Sequence, residues 1–165
     1  MTAYNSLDGS PCTASNWLLN TLLKEEWGFP GFVISDAGAT GGANVLHFTA
    51  GDYQQSAENA VNNGLDVIFQ TDYRHYPLFI EAFRSGKIPA QVIDSAVARV
   101  LKAKFQQGLF EHPWADPKEA ARLNGAKNHR EIALEAARKS MVLLKNKNNI
   151  LPLIPSVKSI AVIGP

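Results

Sequence analysis

Two short apolar runs, at residues 31–35 and 65–69, do most to limit what this chain can become. Each has the length of a β-strand, is continuous rather than alternating in hydrophobicity, and lies next to glycine or proline, the pattern of a strand covered on both faces. Between them lie a glycine-rich loop and a helix-length stretch that starts beyond Asp52, a natural N-cap, and stops at Gly64. Strand, helix, strand is an order that favours parallel neighbours, because a crossover is needed to bring the chain back to the same end of a sheet. The sequence therefore predicts an α/β fold.

Helical periodicity fills in the flanks. Residues 15–27 place Trp17, Leu18, Leu22 and Leu23 on one side of a helix, with Ser15 as N-cap and Gly28 past its end. Residues 77–84 and 89–105 read as two more helices, the second repeating Val92, Ile93, Ala96, Val100, Leu101 and Phe105 near helical spacing. GLFEHPWADP, residues 108–117, reads as a turn-rich surface segment, and residues 128–144 as a further helix carrying Ile132, Leu134, Ala136, Ala137 and Met141. KNKNNILPLIPSVK then has the polar and proline content of an interdomain crossing. The expected organisation is a first domain over residues 1–145, a linker over 146–157 and the first strand of a second domain over 158–165. Both ends read as cuts in a longer chain, since Met1 runs directly into an apolar element and the chain stops just after the strand-like Ile160 to Ile163.

Composition narrows the ligand. Sixteen basic and fifteen acidic residues nearly cancel, so nothing marks a nucleic-acid or anionic-membrane partner, and an uncharged ligand is expected. Cys12 is the single cysteine, which excludes an intrachain disulfide and a thiolate metal cluster. His47, His75, His112 and His129 lack the spacing of a metal site, so neither metal nor cofactor is implied. No stretch approaches the length of a membrane helix, and MTAYNSLDG does not read as a signal peptide.

Asp36 is the leading site candidate. A carboxylate at the carboxyl end of a buried parallel strand is costly unless it is used or paired, and that rim is where α/β barrels collect reactive groups. Asp followed by small residues is also ordinary turn chemistry, so position alone leaves loop capping open. Asp72, just beyond the second apolar run, is a rival carboxylate, though QTDYRHYP has the composition of a loop. The loop GATGGAN faintly matches a dinucleotide-binding fingerprint but lacks its spacing and follows an aspartate that would repel phosphate. His47 lies near that loop and reads as a satisfied loop histidine.

Several motifs occur together in one order: MTAYNSLDGSP at residues 1–11, LKEEWGFPGFVISD at 23–36, NGLD at 63–66, SAVARVL at 95–101, GLF at 108–110, SMVLLKN at 140–146, LPL at 151–153 and IAVIGP at 160–165. This set resembles glycoside hydrolase family 3 and covers essentially the whole chain. The resemblance implies the last part of a (β/α)8 TIM-type barrel, a linker and the opening strand of an α/β sandwich domain. It implies Asp36 as catalytic nucleophile, with Tyr4 and Met1 lining the subsite for the sugar being cleaved, and Met1 as an internal residue of its parent. The implied substrate is an oligosaccharide or glycoside ending in β-linked xylose or glucose. The acid/base would lie outside this chain, in most members as a glutamate of the sandwich domain. A tryptophan often follows the nucleophile in the family's glucosidases; Ala37 stands there instead and tilts the expectation toward a xylosidase. Two readings of other kinds stay open: a non-catalytic α/β module holding a small ligand, and a nucleotide-binding α/β enzyme.

Overall fold

The computed structural model describes residues 1–163. They fall into two compact units that meet in sequence at Trp114 and Ala115.

In the first unit three strand segments follow one another in parallel. Thr2 bridges Ser35 and Ile34 bridges Val67, through Thr2 N–H to the Ile34 carbonyl at 2.9 Å and Ser35 N–H to the Val67 carbonyl at 3.0 Å. The α/β expectation thus holds at its centre, but pairing is confined to isolated bridges rather than running along residues 31–35 and 65–69. One reason is local: the amide of Phe69 donates to Ser35 Oγ at 2.9 Å, so a buried hydroxyl takes the place of a ladder carbonyl. Between the first segment and the first helix a two-residue antiparallel hairpin, Ser6–Leu7 with Ser10–Pro11, turns at Asp8 and Gly9, both at positive φ. Asp-Gly suits that turn, because both residues tolerate the left-handed conformation.

The first helix, Trp17–Glu26, is wound as a π-helix, and Trp27 N–H closes it on the Leu22 carbonyl five residues back. Ser15 caps it as expected, its Oγ accepting from Leu18 N–H at 3.3 Å. The wider winding moves the buried face. Leu19 is the buried residue, with Leu18 and Leu23 packed alongside, whereas Trp17 is 53% exposed. Tyr53–Asn62 begins at Asp52, whose side chain accepts from Gln55 N–H at 2.7 Å. Tyr76–Arg84 and Ala90–Gln106 complete the unit.

Two cores hold these elements. Leu19, Val33, Ala60 and Leu65 pack between the first helix, the second strand segment and Tyr53–Asn62. Ala57, Val61, Phe79, Ala82 and Ile88 pack beneath the next two helices, joined by Tyr53, Val92 and Ile93. Ile68 touches both clusters, which fixes the third strand segment against the helices. Burying apolar side chains of this size contributes about 1.5–3 kcal/mol each.

The second unit contains Pro117–Leu123 and Lys127–Ser140. The former lies in and beyond the segment read as surface turn; Asp116 caps it, accepting from Lys118 N–H at 2.9 Å, and Pro117 occupies its first position. Residues 158–163 form no strand pairing in the structure, and Gly164 and Pro165, the end of the expected strand, lie outside the described residues.

Candidate active site

Asp36 directly follows the bridged pair Ile34 and Ser35, so its position is set by the end of a strand segment, and the side chain is half-buried. Its Oδ1 accepts from Ala37 N–H at 2.7 Å, while its carbonyl accepts from Ala39 N–H at 3.1 Å. The residue therefore does make a turn, as its composition allowed. Among the described residues Oδ2 accepts no hydrogen bond, which leaves one carboxylate oxygen oriented and available.

Tyr4 is brought to the same place from the first strand segment. Its hydroxyl donates to the carbonyl of Ala37, the residue after Asp36. His47 closes the group from the other side of the loop, with Nε2 donating to the Tyr4 carbonyl at 2.7 Å. That bond requires the proton on Nε2, so it selects one neutral tautomer or the protonated ring. Asp36 and Tyr4, the candidates the sequence offered, are brought together here; the His47 contact had no local signal, because its partner is a backbone atom distant in sequence.

Met1 is not brought to this group. It is 78% exposed and lines an apolar cavity of about 410 Å³ with Cys12, Leu18, Leu23, Trp27 and Phe29, a cavity lined by neither Asp36 nor Tyr4.

The rival carboxylate is engaged otherwise. Asp72 accepts from the Arg74 amide at 3.0 Å and from its guanidinium, with Nη2 at 2.5 Å from Oδ2. These hydrogen bonds hold its carboxyl far below the usual carboxylate range. A half-buried aspartate paired with its exposed near neighbour Arg74 is a loop device, as QTDYRHYP indicated.

The glycine-rich loop serves packing. A Cβ on Gly41 would lie 2.2 Å from the Tyr53 ring, so close approach of loop and helix requires glycine there. The loop leads only into the four-residue helix Gly42–Val45, too short to present a phosphate site of the dinucleotide kind.

Beneath the site lies an ionic cluster that sequence reading missed. Asp66, its side chain fully buried, accepts from Val33 N–H at 2.8 Å and from Arg99 Nε at 2.8 Å. Arg99 Nη2 is 2.7 Å and Lys24 Nζ 3.7 Å from the same carboxylate. Lys24 also donates to the Gly64 carbonyl at 2.6 Å. Burial, with Arg99 nearby, pulls the Lys24 ammonium below its ordinary pKa against the opposing pull of Asp66. The cluster joins two helices to the backbone of the strand segment that ends at Asp36. The available signal was an aspartate opening an apolar run, a position tolerated only when cations meet it.

Parallel strand segments connected through helices, with a carboxylate, a tyrosine and a histidine gathered where the second segment ends, define an α/β domain segment with a polar site at the strand ends. The chain belongs to glycosyl hydrolase family 3: residues 1–103 match that family's N-terminal domain. It is 39% identical over 172 residues to a periplasmic beta-glucosidase of Salmonella typhimurium, covering all of this chain and 22% of that protein. It is 35% identical over 175 residues to a beta-xylosidase of Formosa agariphila, covering all of this chain and 24% of that protein. The crystal structure of a beta-glucosidase from Listeria innocua in complex with glucose superposes with a TM-score of 0.71 at 33% identity, over 93% of this chain and 21% of that one. The chain thus spans less than a quarter of the length of these relatives. The resemblance in the sequence motifs is borne out at the level of the family.

Proposed function

We propose that this chain is the closing part of the barrel domain of a retaining, exo-acting β-glycosidase that releases terminal β-linked xylose or glucose from oligosaccharides. On this reading residues 1–145 belong to the barrel, 146–157 form the linker, and 158–165 begin a sandwich domain. The observation that carries it is the convergence of Asp36 and Tyr4: the tyrosine hydroxyl meets the carbonyl next to a half-buried aspartate with one unoccupied oxygen, in a chain of this family.

In the first step Asp36 Oδ2 bonds to the anomeric carbon while the bond from that carbon to the leaving oxygen breaks. An acid outside this chain gives its proton to the leaving oxygen. In the second step the same group, now a base, takes a proton from water; the water oxygen bonds to the anomeric carbon and the ester to Asp36 opens. Two inversions leave the configuration retained. Tyr4 lines the subsite of the cleaved sugar, supported by its contact beside Asp36. The small Ala37 after the nucleophile favours the pentose.

An eight-stranded barrel takes about 250 residues, so catalysis belongs to the complete protein containing this chain. The test is an activated 2-fluoro-glycoside: mass spectrometry of that protein should find one sugar esterified to Asp36. Unmodified Asp36 in an enzyme that still turns over its substrate overturns the assignment.

A further inference from the structure

We propose that Ser35 is the positioning residue for the nucleophile: its hydroxyl interrupts the strand ladder just before Asp36 and so directs the Asp36 carboxylate onto the Ala37 amide. This deepens the glycosidase reading above and rests on it.

The hydrogen bonds along residues 33–38 change character at Ser35. Val67 N–H donates to the Val33 carbonyl at 3.0 Å, and Ser35 N–H donates to the Val67 carbonyl at 3.0 Å. In a parallel pair the next two bonds of that series run from Phe69 N–H to the Ser35 carbonyl and from Ala37 N–H to the Phe69 carbonyl. Here both are diverted. Phe69 N–H donates to Ser35 Oγ at 2.9 Å, and Ser35 Oγ donates to the Phe69 carbonyl at 3.4 Å. The same carbonyl accepts from Gly38 N–H at 3.3 Å. The chain thus regains its strand partner one residue late, at Gly38, whose φ of +77° glycine adopts without a Cβ clash.

One extra residue on one strand is the geometry of a bulge, a device that re-aims a side chain. The consequence falls on Asp36. Ala37 N–H, released from the Phe69 carbonyl, donates to Asp36 Oδ1 at 2.7 Å. That bond fixes one carboxylate oxygen and leaves Oδ2 as the one that attacks. Ser35 itself is 0% exposed, so it cannot reach the sugar and acts only through the backbone that carries Asp36. Its hydroxyl serves as donor and acceptor at once, which alanine cannot do. In Ser35→Ala the Phe69 amide is free to take the Ser35 carbonyl position and Ala37 N–H to return to the Phe69 carbonyl, and Oδ1 then loses its donor.

The experiment uses the complete enzyme containing this chain, at a temperature where circular dichroism shows each variant folded. Ser35→Ala, Ser35→Cys and Ser35→Thr are compared with Ser56→Ala, which removes an equally buried hydroxyl that donates to the Asp52 carbonyl at 2.9 Å. The limiting rate at which an activated 2-fluoro-glycoside labels Asp36 reads the nucleophile, and the inhibition constant of free xylose or glucose reads sugar binding. Ser35→Ala should label at least about tenfold more slowly than wild type, the scale of a displaced reacting atom, with the inhibition constant within about twofold. Ser35→Thr keeps the hydroxyl and should stay within about threefold of the wild-type rate, while Ser35→Cys, a weak donor and acceptor, should fall between the two. Ser35→Cys carries the same comparison where Ser35→Ala does not fold. Ser56→Ala should label at the wild-type rate. Wild-type labelling in Ser35→Ala, an equal loss in Ser56→Ala, or a loss confined to the inhibition constant overturns this proposal while the glycosidase reading stands. A wild-type enzyme that turns over its substrate with Asp36 unlabelled overturns the nucleophile assignment and this inference with it.

Discussion

The Tyr4 hydroxyl donates to the Ala37 carbonyl, so a side chain from the first strand segment is latched to the turn that begins at Asp36. The latch depends on a single oxygen. Tyr4→Phe keeps the ring and removes the donor, leaving the Ala37 carbonyl to solvent. The expected cost to stability is about 1 kcal/mol, that of one net hydrogen bond, read by urea denaturation. In the complete enzyme kcat/KM should fall about tenfold, equivalent to about 1.4 kcal/mol of transition-state stabilisation. An unaltered kcat/KM would limit Tyr4 to packing.

The two carboxylates near the strand ends should separate clearly under mutation. Asp36→Asn removes the proposed nucleophile while preserving shape, and turnover in the complete enzyme should fall by at least about four orders of magnitude, as expected when a covalent nucleophile is lost. Asp72→Asn breaks a pair with the exposed Arg74 and should leave kcat/KM within about threefold, in line with the small worth of ion pairs at the surface. The opposite ranking, measured with an aryl β-glycoside, would move the nucleophile to Asp72.

How much of this was legible in the sequence depended on whether the signal was local. The cap at Asp52, the helix stop at Gly64 and the parallel order around residues 31–35 and 65–69 are encoded by neighbours along the chain, and the structure has them. The π-winding of Trp17–Glu26 has no such code: leucines spaced for an α-helix also fit a wider turn, and Leu19 rather than Trp17 reaches the core. Pro117–Leu123 was hidden because Asp116-Pro117 serves equally as a turn and as a helix start. At the site, Asp36 and Tyr4 stood out through motif and position. The His47 contact and the Asp66 cluster join residues distant in the chain through backbone atoms or buried charge, and periodicity carries no record of either.

That cluster supports a stability prediction. Asp66 sits in a fully buried position between Arg99, Lys24 and the Val33 amide. Asp66→Asn keeps the volume but leaves the half-buried Arg99 guanidinium and Lys24 ammonium without their counter-charge, and since both cations reach solvent the cost should be about 2–3 kcal/mol, below the about 3–5 kcal/mol of a fully buried pair. Chemical denaturation of Asp66→Asn should show a loss of this size, and Arg99→Met a smaller one, since Arg99 is partly exposed and Lys24 remains near the carboxylate. Equal stability of Asp66→Asn and wild type would contradict the assigned role.

Glu58 should set part of the acid limit of stability. Its side chain is buried in the Tyr53–Asn62 helix, with Oε1 accepting from Gln54 Nε2 at 2.8 Å and Oε2 lying 3.3 Å from Lys87 Nζ. Burial by itself would raise its pKa, but hydrogen bonds from Gln54 and Lys87 outweigh that effect and hold it below the ordinary 4.5. Between the depressed folded value and the unfolded one, the unfolded chain binds more protons, so stability rises with pH across that window. The contribution is present in full above the unfolded value and is lost as pH falls through the folded value. Glu58→Gln removes the titration, so its stability should change less steeply than wild type below pH 4.5, and the two curves should draw together as acid protonates the wild-type carboxylate. Lys87→Met should flatten the same limb by removing the cation while leaving the Gln54 bond. Parallel curves for wild type and Glu58→Gln, measured by denaturation across that acid range, would show that Glu58 has the same proton affinity folded and unfolded.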